Sequence, residues 1–283
     1  MRIDLHTHTA VSDGTDTPIQ LVSKAAEQGV DVLGLTDHDT FDGLAEAQLA
    51  AAEAGIIVLP GLEMSCKLDG ASVHLLGYGC DPLNQRLLDE LSRVRGGRTG
   101  RMPEMLAKLA ALEMPLTESD IAEHVGDSPS LGRPHVADAM VSKGYVKDRQ
   151  EAFDKYLKEG GPAYVNRYSC DIRRGIELIR KARGVAVIAH PWARNRDREL
   201  TPAMLSELTQ EYGLEGIEVD HPDHDQATRD QLRALAQSLG LLALGSSDHH
   251  GRGKVGHELA CETTSVKVYE ELVRRIRQRG GQL

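Results

Sequence analysis

The sequence is poor in aromatic residues: 4% of 283 positions, with one Trp and two Phe. A protein that stacks many bases on aromatic platforms carries more. It also lacks paired cysteines. Cys66, Cys80, Cys170 and Cys261 are far apart and form no C-x-x-C, which argues against a zinc ribbon or dithiol redox site and for free thiols in a reducing compartment. Basic residues are not in excess: 33 Lys and Arg face 43 Asp and Glu, for a formal charge of −10. Non-specific nucleic-acid binders are basic overall, so no stable complex with double-stranded nucleic acid is expected. That balance still permits an anionic substrate, because bound metal ions can supply local positive charge. There is no charged-then-apolar leader and no apolar run of membrane length. The expectation is a cytoplasmic protein without membrane association.

What is present is alternation. Short Val/Ile/Leu-rich runs at 2–6, 31–36, 56–62, 72–78, 185–190, 215–220 and 241–246 read as strands. Between most of them, apolar residues recur at three and four spacing, over 18–28, 42–54, 171–182, 202–212 and 225–239. Strand and helix in turn predict a parallel sheet with crossover helices. Seven strands predict a closed or nearly closed α/β barrel; an open doubly wound sheet shares the local pattern. Residues 82–164 break the rhythm and read as a small helical insertion, leaving 1–81 and 165–283 as the barrel. Within it, Thr117 and Asp120 have capping-box spacing. Pro134 and Gly144 bracket a further helix. Arg-rich patches occur at 93–101, 194–198 and 274–279, the last read as a solvated helix face.

The polar residues gather where strands end. His6 and His8 close the first, Asp37, His38 and Asp39 follow the second, and Glu63 ends the third. His190 ends the strand after the insertion, Asp220 and His221 the next, and Asp248 and His250 follow the last. In parallel barrels these ends converge on the face that carries the active site. His74 lies inside its strand and reaches that face only by pointing into the barrel. Each residue alone has an ordinary alternative: Asp39 could cap the next helix, and Asp37 could orient neighbours. Together they predict a multi-metal site. Imidazole and carboxylate without thiolate suit Mn²⁺, Fe²⁺ or Zn²⁺. At about four to six ligands per ion, the set suits two or three ions, with Mn²⁺ taken first.

His6-x-His8, Thr36-Asp37-His38, Glu63, His74, His190-Pro191 and Ser247-Asp248-x-His250 resemble the signature of the PHP (polymerase and histidinol phosphatase) family. The resemblance spans residues 6 to 250. It implies a distorted (β/α)₇ barrel and metal-dependent phosphoester hydrolysis. It assigns His6, His8, Glu63 and Asp248 to a first ion, and Glu63, His74 and His190 to a second. Asp13, His38 and His250 fall to a third. Position 249 departs from the common form by being His rather than aromatic. "LTDHDT", "GRPHVA" and "GGPAYV" resemble the branch of nucleoside 3′,5′-bisphosphate phosphatases and 5′→3′ exoribonucleases acting on short RNA. The implied substrate is a small nucleotide or short RNA.

No G-x-S-x-G or phosphatase Cys loop is present, so the expected nucleophile is a water activated by metal. Asp37 and Asp39 are expected to orient neighbours. His221 and His249 are candidate proton donors, or else polar residues lining the mouth. Pro134 at a helix start leaves free N–H groups and a positive dipole end. Arg133 and His135 flank it and are expected to hold the phosphate that is not hydrolysed; the alternative is a surface Arg and a packing His. Three rivals stand: another phosphatase specificity such as histidinol phosphate, a non-catalytic interaction module, and an amidohydrolase. The last normally uses a Lys at a strand end, and none of these strands ends in one.

Overall fold

The computed structural model describes residues 1–125, 132–193 and 200–283. The Arg-rich stretch 194–198 lies outside them. The barrel strands are β1 (Ile3–Thr7), β2 (Val32–Leu35), β3 (Ile57–Leu68), β4 (Ala71–Tyr78), β6 (Val185–Ile188), β7 (Gly216–Asp220) and β8 (Leu242–Gly245), with a two-residue β5 (Cys170–Asp171) beside β3. They pair in the order β1-β2-β3-β4-β6-β7-β8, with β5 on β3. The segment after β8 closes the ring: His8 N–H donates to His249 O at 2.9 Å, and Thr264 N–H to Ile3 O at 2.9 Å.

One strand runs against the others. β4 is antiparallel to both β3 and β6. The cause is local: β3 continues to Leu68 and turns through Asp69 (φ 48°) and Gly70 (φ 97°). Two left-handed residues make the tight turn that suits hairpin twist. This is how His74 reaches the mouth from mid-strand: on the returning strand it lies opposite Ser65, two residues past Glu63.

The crossover helices follow their capping signals. Helix α1 (Pro18–Glu27) starts with a Thr17–Gln20 capping box and stops before Gly29, at φ 73°. Helix α2 (Leu44–Ala54) is capped by Gly43, so Asp39 is not its cap. Helices α8 (Ile172–Lys181), α9 (Pro202–Glu207) and α10 (Gln226–Leu239) cover the far side of the sheet, and α11 (Val266–Gln278) follows β8. The period of two is visible in β6. Ala186 and Ile188 pack in the helix-side core, while Val185 and Val187 join Leu5, Leu59, Leu76 and Leu244 in a second one. That second cluster fills the barrel, with Leu272 and Ile276 of α11 against it.

The helices between β4 and β5 are α3 (Gln85–Gly100), α4 (Met102–Ala111), α5 (Glu118–Val125), α6 (Arg133–Ser142) and α7 (Arg149–Ala152). Leu87, Leu91 and Val94 of α3 pack in the barrel's outer core. From Met102 to Val165 the segment builds a core of its own, around Met105, Leu109, Val136 and Met140. Thr117 and Asp120 cap α5 reciprocally, at 2.8 and 3.1 Å. Helix α6 starts at Arg133-Pro134 and stops before Gly144, at φ 73°.

Candidate metal centre

The mouth gathers imidazoles around one carboxylate. Glu63 Oε2 lies 3.2 Å from His6 Nε2, 3.1 Å from His8 Nε2 and 3.2 Å from His38 Nδ1. Its other oxygen lies 2.8 Å from His74 Nδ1 and 3.2 Å from His190 Nε2. Asp248 Oδ1 stands 3.5 Å from both His6 and His8. Asp13 faces His250 Nε2 at 3.3 Å and His38 Nε2 at 3.7 Å. All nine residues expected as metal ligands therefore converge. His38 faces two ways, toward Glu63 and toward Asp13, rather than toward Asp13 alone.

The donor set fits divalent metal. His6 Nε2 and His8 Nε2 lie 3.0 Å apart although both are buried. His6 Nδ1 pairs with the Glu218 carboxylate at 3.0 Å, so the lone pair is on Nε2, facing Glu63. His250 Nδ1 donates to Asp248 O at 2.9 Å, leaving Nε2 as the lone pair toward Asp13. Nδ1 of His8 and of His38 is buried without a hydrogen-bond partner, a state that costs free energy unless something binds there. Among the described residues, four groups have ligand atoms close enough to share an ion: His8-Asp13-His38-His250, His6-His8-Asp248, His38-Glu63-His74 and His221-Asp248-His257.

The electrostatics match. Burial opposes ionisation of Glu63, but His38, His74 and His6 hold it well below the usual carboxylate range. Burial is likewise overcome at Asp13 by His38 and His250, and at Asp248 by Lys254 and His6. Burial pushes His38 and His190 down to about 3, against the pull of Glu63, which leaves both neutral. His8 goes the other way: Asp248 and Glu63 outweigh burial and hold it at about 9.

The residues expected to act beside the ligands divide. Asp37 accepts from Thr9 N (2.8 Å), Thr9 Oγ1 (2.7 Å) and Ser12 Oγ (2.5 Å). It shapes the loop that carries Asp13. Asp39, at φ 57°, accepts from Ser65 N at 2.7 Å and ion-pairs with Arg98 at 2.7 Å. His221 Nδ1 accepts from Asp223 N–H at 3.1 Å, so the neutral ring carries its proton on Nε2, 3.4 Å from Asp248 Oδ2. His249 turns outward from the cluster, Nδ1 to His257 O at 2.7 Å and Nε2 3.7 Å from Asp16. Asp220 pairs with Arg233 of α10 and leaves the mouth. His135 is buried and its Nδ1 accepts from Gly132 N–H at 3.0 Å. Arg133 donates to Leu157 O at 2.9 Å.

Several residues escaped the sequence reading. Glu218 alternates with Ile217 and Val219, which pack on the helix side, so it points into the barrel. There it holds His6 and accepts from His190 N–H at 2.7 Å. A carboxylate in the middle of "GIEVD" was the available signal. Asp4, fully buried, accepts from Ser247 Oγ at 2.6 Å and fixes the loop that carries Asp248. Lys254 places its ammonium on Asp248 Oδ2, and His257 joins His221 and Asp248. Arg149 of α7 grips both oxygens of Asp138 on α6 and donates to Asp13 O at 3.2 Å, docking the helical segment on the mouth.

A closed barrel with a buried, many-centred imidazole–carboxylate mouth defines a metal-dependent hydrolase. Comparison with known proteins refines the class. Residues 4–93 match the PHP domain. The chain is 35% identical over 278 residues to a 3′,5′-nucleoside bisphosphate phosphatase of Chromobacterium violaceum, covering 97% of each. It is 32% identical to a 5′-3′ exoribonuclease of Haemophilus influenzae, covering 95% of this chain and 98% of the other. A crystal structure from Bifidobacterium adolescentis, described as a metal-dependent phosphoesterase, superposes with a TM-score of 0.91 at 33% identity, covering 96% and 95% of the two chains. The chain belongs to the PHP family and is a phosphoric ester hydrolase that uses divalent metal ions. Among the described residues, no helix is long and apolar enough to cross a membrane.

Proposed function

We propose that the chain removes the 3′-phosphate of nucleoside 3′,5′-bisphosphates, giving the nucleoside 5′-monophosphate and inorganic phosphate. The observation that carries this reading is 35% identity to the Chromobacterium violaceum enzyme over 97% of each chain, together with the clustered imidazole and carboxylate donors. His6, His8, Glu63 and Asp248 would hold one ion, Glu63, His74 and His190 a second, and Asp13, His38 and His250 a third. Mn²⁺ is the first choice for these donors, with Fe²⁺ and Zn²⁺ next. When bound, such ions act as Lewis acids on phosphoryl oxygens and acidify water.

The chain's own groups do the rest. Glu218 orients His6 and keeps its lone pair on Nε2. Asp37 holds the loop that presents Asp13. Asp4 holds the turn that presents Asp248. His221 presents its buried Nε2 3.4 Å from Asp248 Oδ2, a position that suits proton delivery to the departing 3′-oxygen. His135, with Nδ1 occupied, offers Nε2–H near Asp13 as a contact for substrate phosphate.

A second reading has its own support: the Haemophilus influenzae relative is named an exoribonuclease, which favours 5′-phosphorylated short RNA as substrate. Phosphate or nucleotide release by Mn²⁺-loaded protein from adenosine 3′,5′-bisphosphate, a 5′-phosphorylated oligoribonucleotide and histidinol phosphate decides between them. The bisphosphate is expected to have the highest kcat/KM. Higher efficiency on either other substrate reassigns the specificity, and inactivity on all three supports a non-catalytic module.

A further inference from the structure

Arg149 opens α7 of the helical segment and reaches the mouth. Its Nε and Nη2 donate to Asp138 Oδ1 and Oδ2 on α6, both at 2.5 Å. A bidentate pair thus fixes that edge of the guanidinium. The remaining nitrogen, Nη1, donates to two backbone carbonyls, Asp13 O at 3.2 Å and Gly253 O at 3.4 Å. The two carbonyls belong to different loops. One loop follows β1 and carries Asp13; the other follows β8 and carries Asp248 and His250. The loops also meet directly: Thr15 N–H donates to His250 O at 3.2 Å, and Arg252 N–H to Thr15 Oγ1 at 2.9 Å. Their donors converge, with Asp13 Oδ1 3.3 Å from His250 Nε2. Arg149 fits closely against them, since a Cβ on Gly253 would run into Nη1.

We infer that Arg149 is a positioning residue: from the helical segment it clamps the loops of Asp13 and His250, and so sets the affinity of the mouth for the third ion. The inference rests on the proposed assignment of that ion to Asp13, His38 and His250. Metal sites lose affinity when the groups behind their ligands are loosened. Asp13 and His250 need such support, because β1 stops at Thr7 and β8 at Gly245, and both residues lie on loops beyond the strands. The clamp stands on a packed body: Ala152 of α7 and Val136 and Met140 of α6 share the core of the helical segment. Both bonds to the loops go to main chain, so the Asp13 carboxylate stays available to the ion. Charge does not oppose the role. A lone guanidinium beside a cation site would repel the ion, and here the Asp138 carboxylate neutralises it.

The test withdraws metal from the Mn²⁺-loaded full chain with graded chelator and counts the Mn²⁺ left per chain by atomic emission. Asp13→Asn identifies the third ion as the one whose affinity falls. Arg149→Met should weaken that same ion by about 10- to 100-fold and move the others by less than about threefold, as for sites that share no partner. Arg149→Lys keeps the charge without the planar fork and should stay weakened. Gly253→Ala, which pushes a methyl against Nη1 from the barrel side, should weaken the same ion. Arg86→Gln, on the exposed face of α3, is the neutral control. An unchanged third ion in Arg149→Met overturns the inference, as does an equal fall at every ion or full affinity in Arg149→Lys. If Arg149→Met does not fold, Gly253→Ala decides by the same outcomes. If Asp13→Asn releases no ion, the third-ion assignment falls and the inference with it. An ion lost in Asp13→Asn and kept in Arg149→Met condemns the inference alone.

Discussion

The barrel mouth and the junction with the helical segment bury charge in opposite senses. At the mouth, Asp13, Glu63, Glu218 and Asp248 are all held ionised below the usual carboxylate range, among imidazoles of which His38 and His190 are neutral. Where the helical segment meets the barrel, Arg98 and Arg101 are buried, and Asp39 ion-pairs with Arg98. A buried charge without compensation is costly. At the mouth the compensation is cationic, of the kind divalent metal ions supply; at Arg98 it comes from the paired Asp39.

Substitutions can break this comparison. The largest effect is expected from Glu63→Gln. Five imidazoles share that carboxylate. Metal content and phosphatase activity should fall together, activity by more than about 100-fold, since loss of residues behind the ligands already costs about 10- to 100-fold. Retention of both would mean that Glu63 does not join the two halves of the mouth.

Next comes Asp39→Asn, which leaves Arg98 buried and unpaired. Breaking such a pair costs about 3–5 kcal/mol, to be read from the urea midpoint with metal content measured in parallel. A loss under about 1 kcal/mol would show that Arg98 is compensated elsewhere, and the contrast between the regions would weaken.

The smallest effect is acid sensitivity. Burial works against ionisation of Glu218, yet His6 holds it down to about 2 from an ordinary 4.5. A depressed carboxylate gives its full stabilisation above about pH 4.5 and loses it as pH falls toward 2. In chelated protein this amounts to up to about 3 kcal/mol, and Glu218→Gln should flatten that limb of the stability curve. An unchanged limb would assign the acid loss to other carboxylates.

Much of the mouth was legible in the sequence, because its donors sit in short motifs at strand ends: His6 with His8, Asp37-His38-Asp39, Asp248 with His250. Barrel geometry brings such ends together whatever their spacing in the chain. Glu218 and Asp4 were not read, since a single carboxylate inside a strand looks like a surface position until the inward face is known. The direction of β4 was missed although Asp69-Gly70 marks a hairpin, because the strands were read as ending short of it. The junction with the helical segment was the least legible. Arg98, Arg101 and Arg149 come from separate elements and share no spacing; only the 93–101 patch hinted at positive charge there.

Ring closure between β1 and the chain beyond β8 has a consequence for how the protein is made. His6 and His8 leave the ribosome long before Asp248 and His250, yet His8 N–H is satisfied by His249 O and Ile3 O by Thr264 N–H. Until residues 249–264 arrive, β1 is an open edge able to pair wrongly. These two imidazoles must wait for neighbours that are made much later. Completion of the metal site should therefore follow this sequence-distant contact.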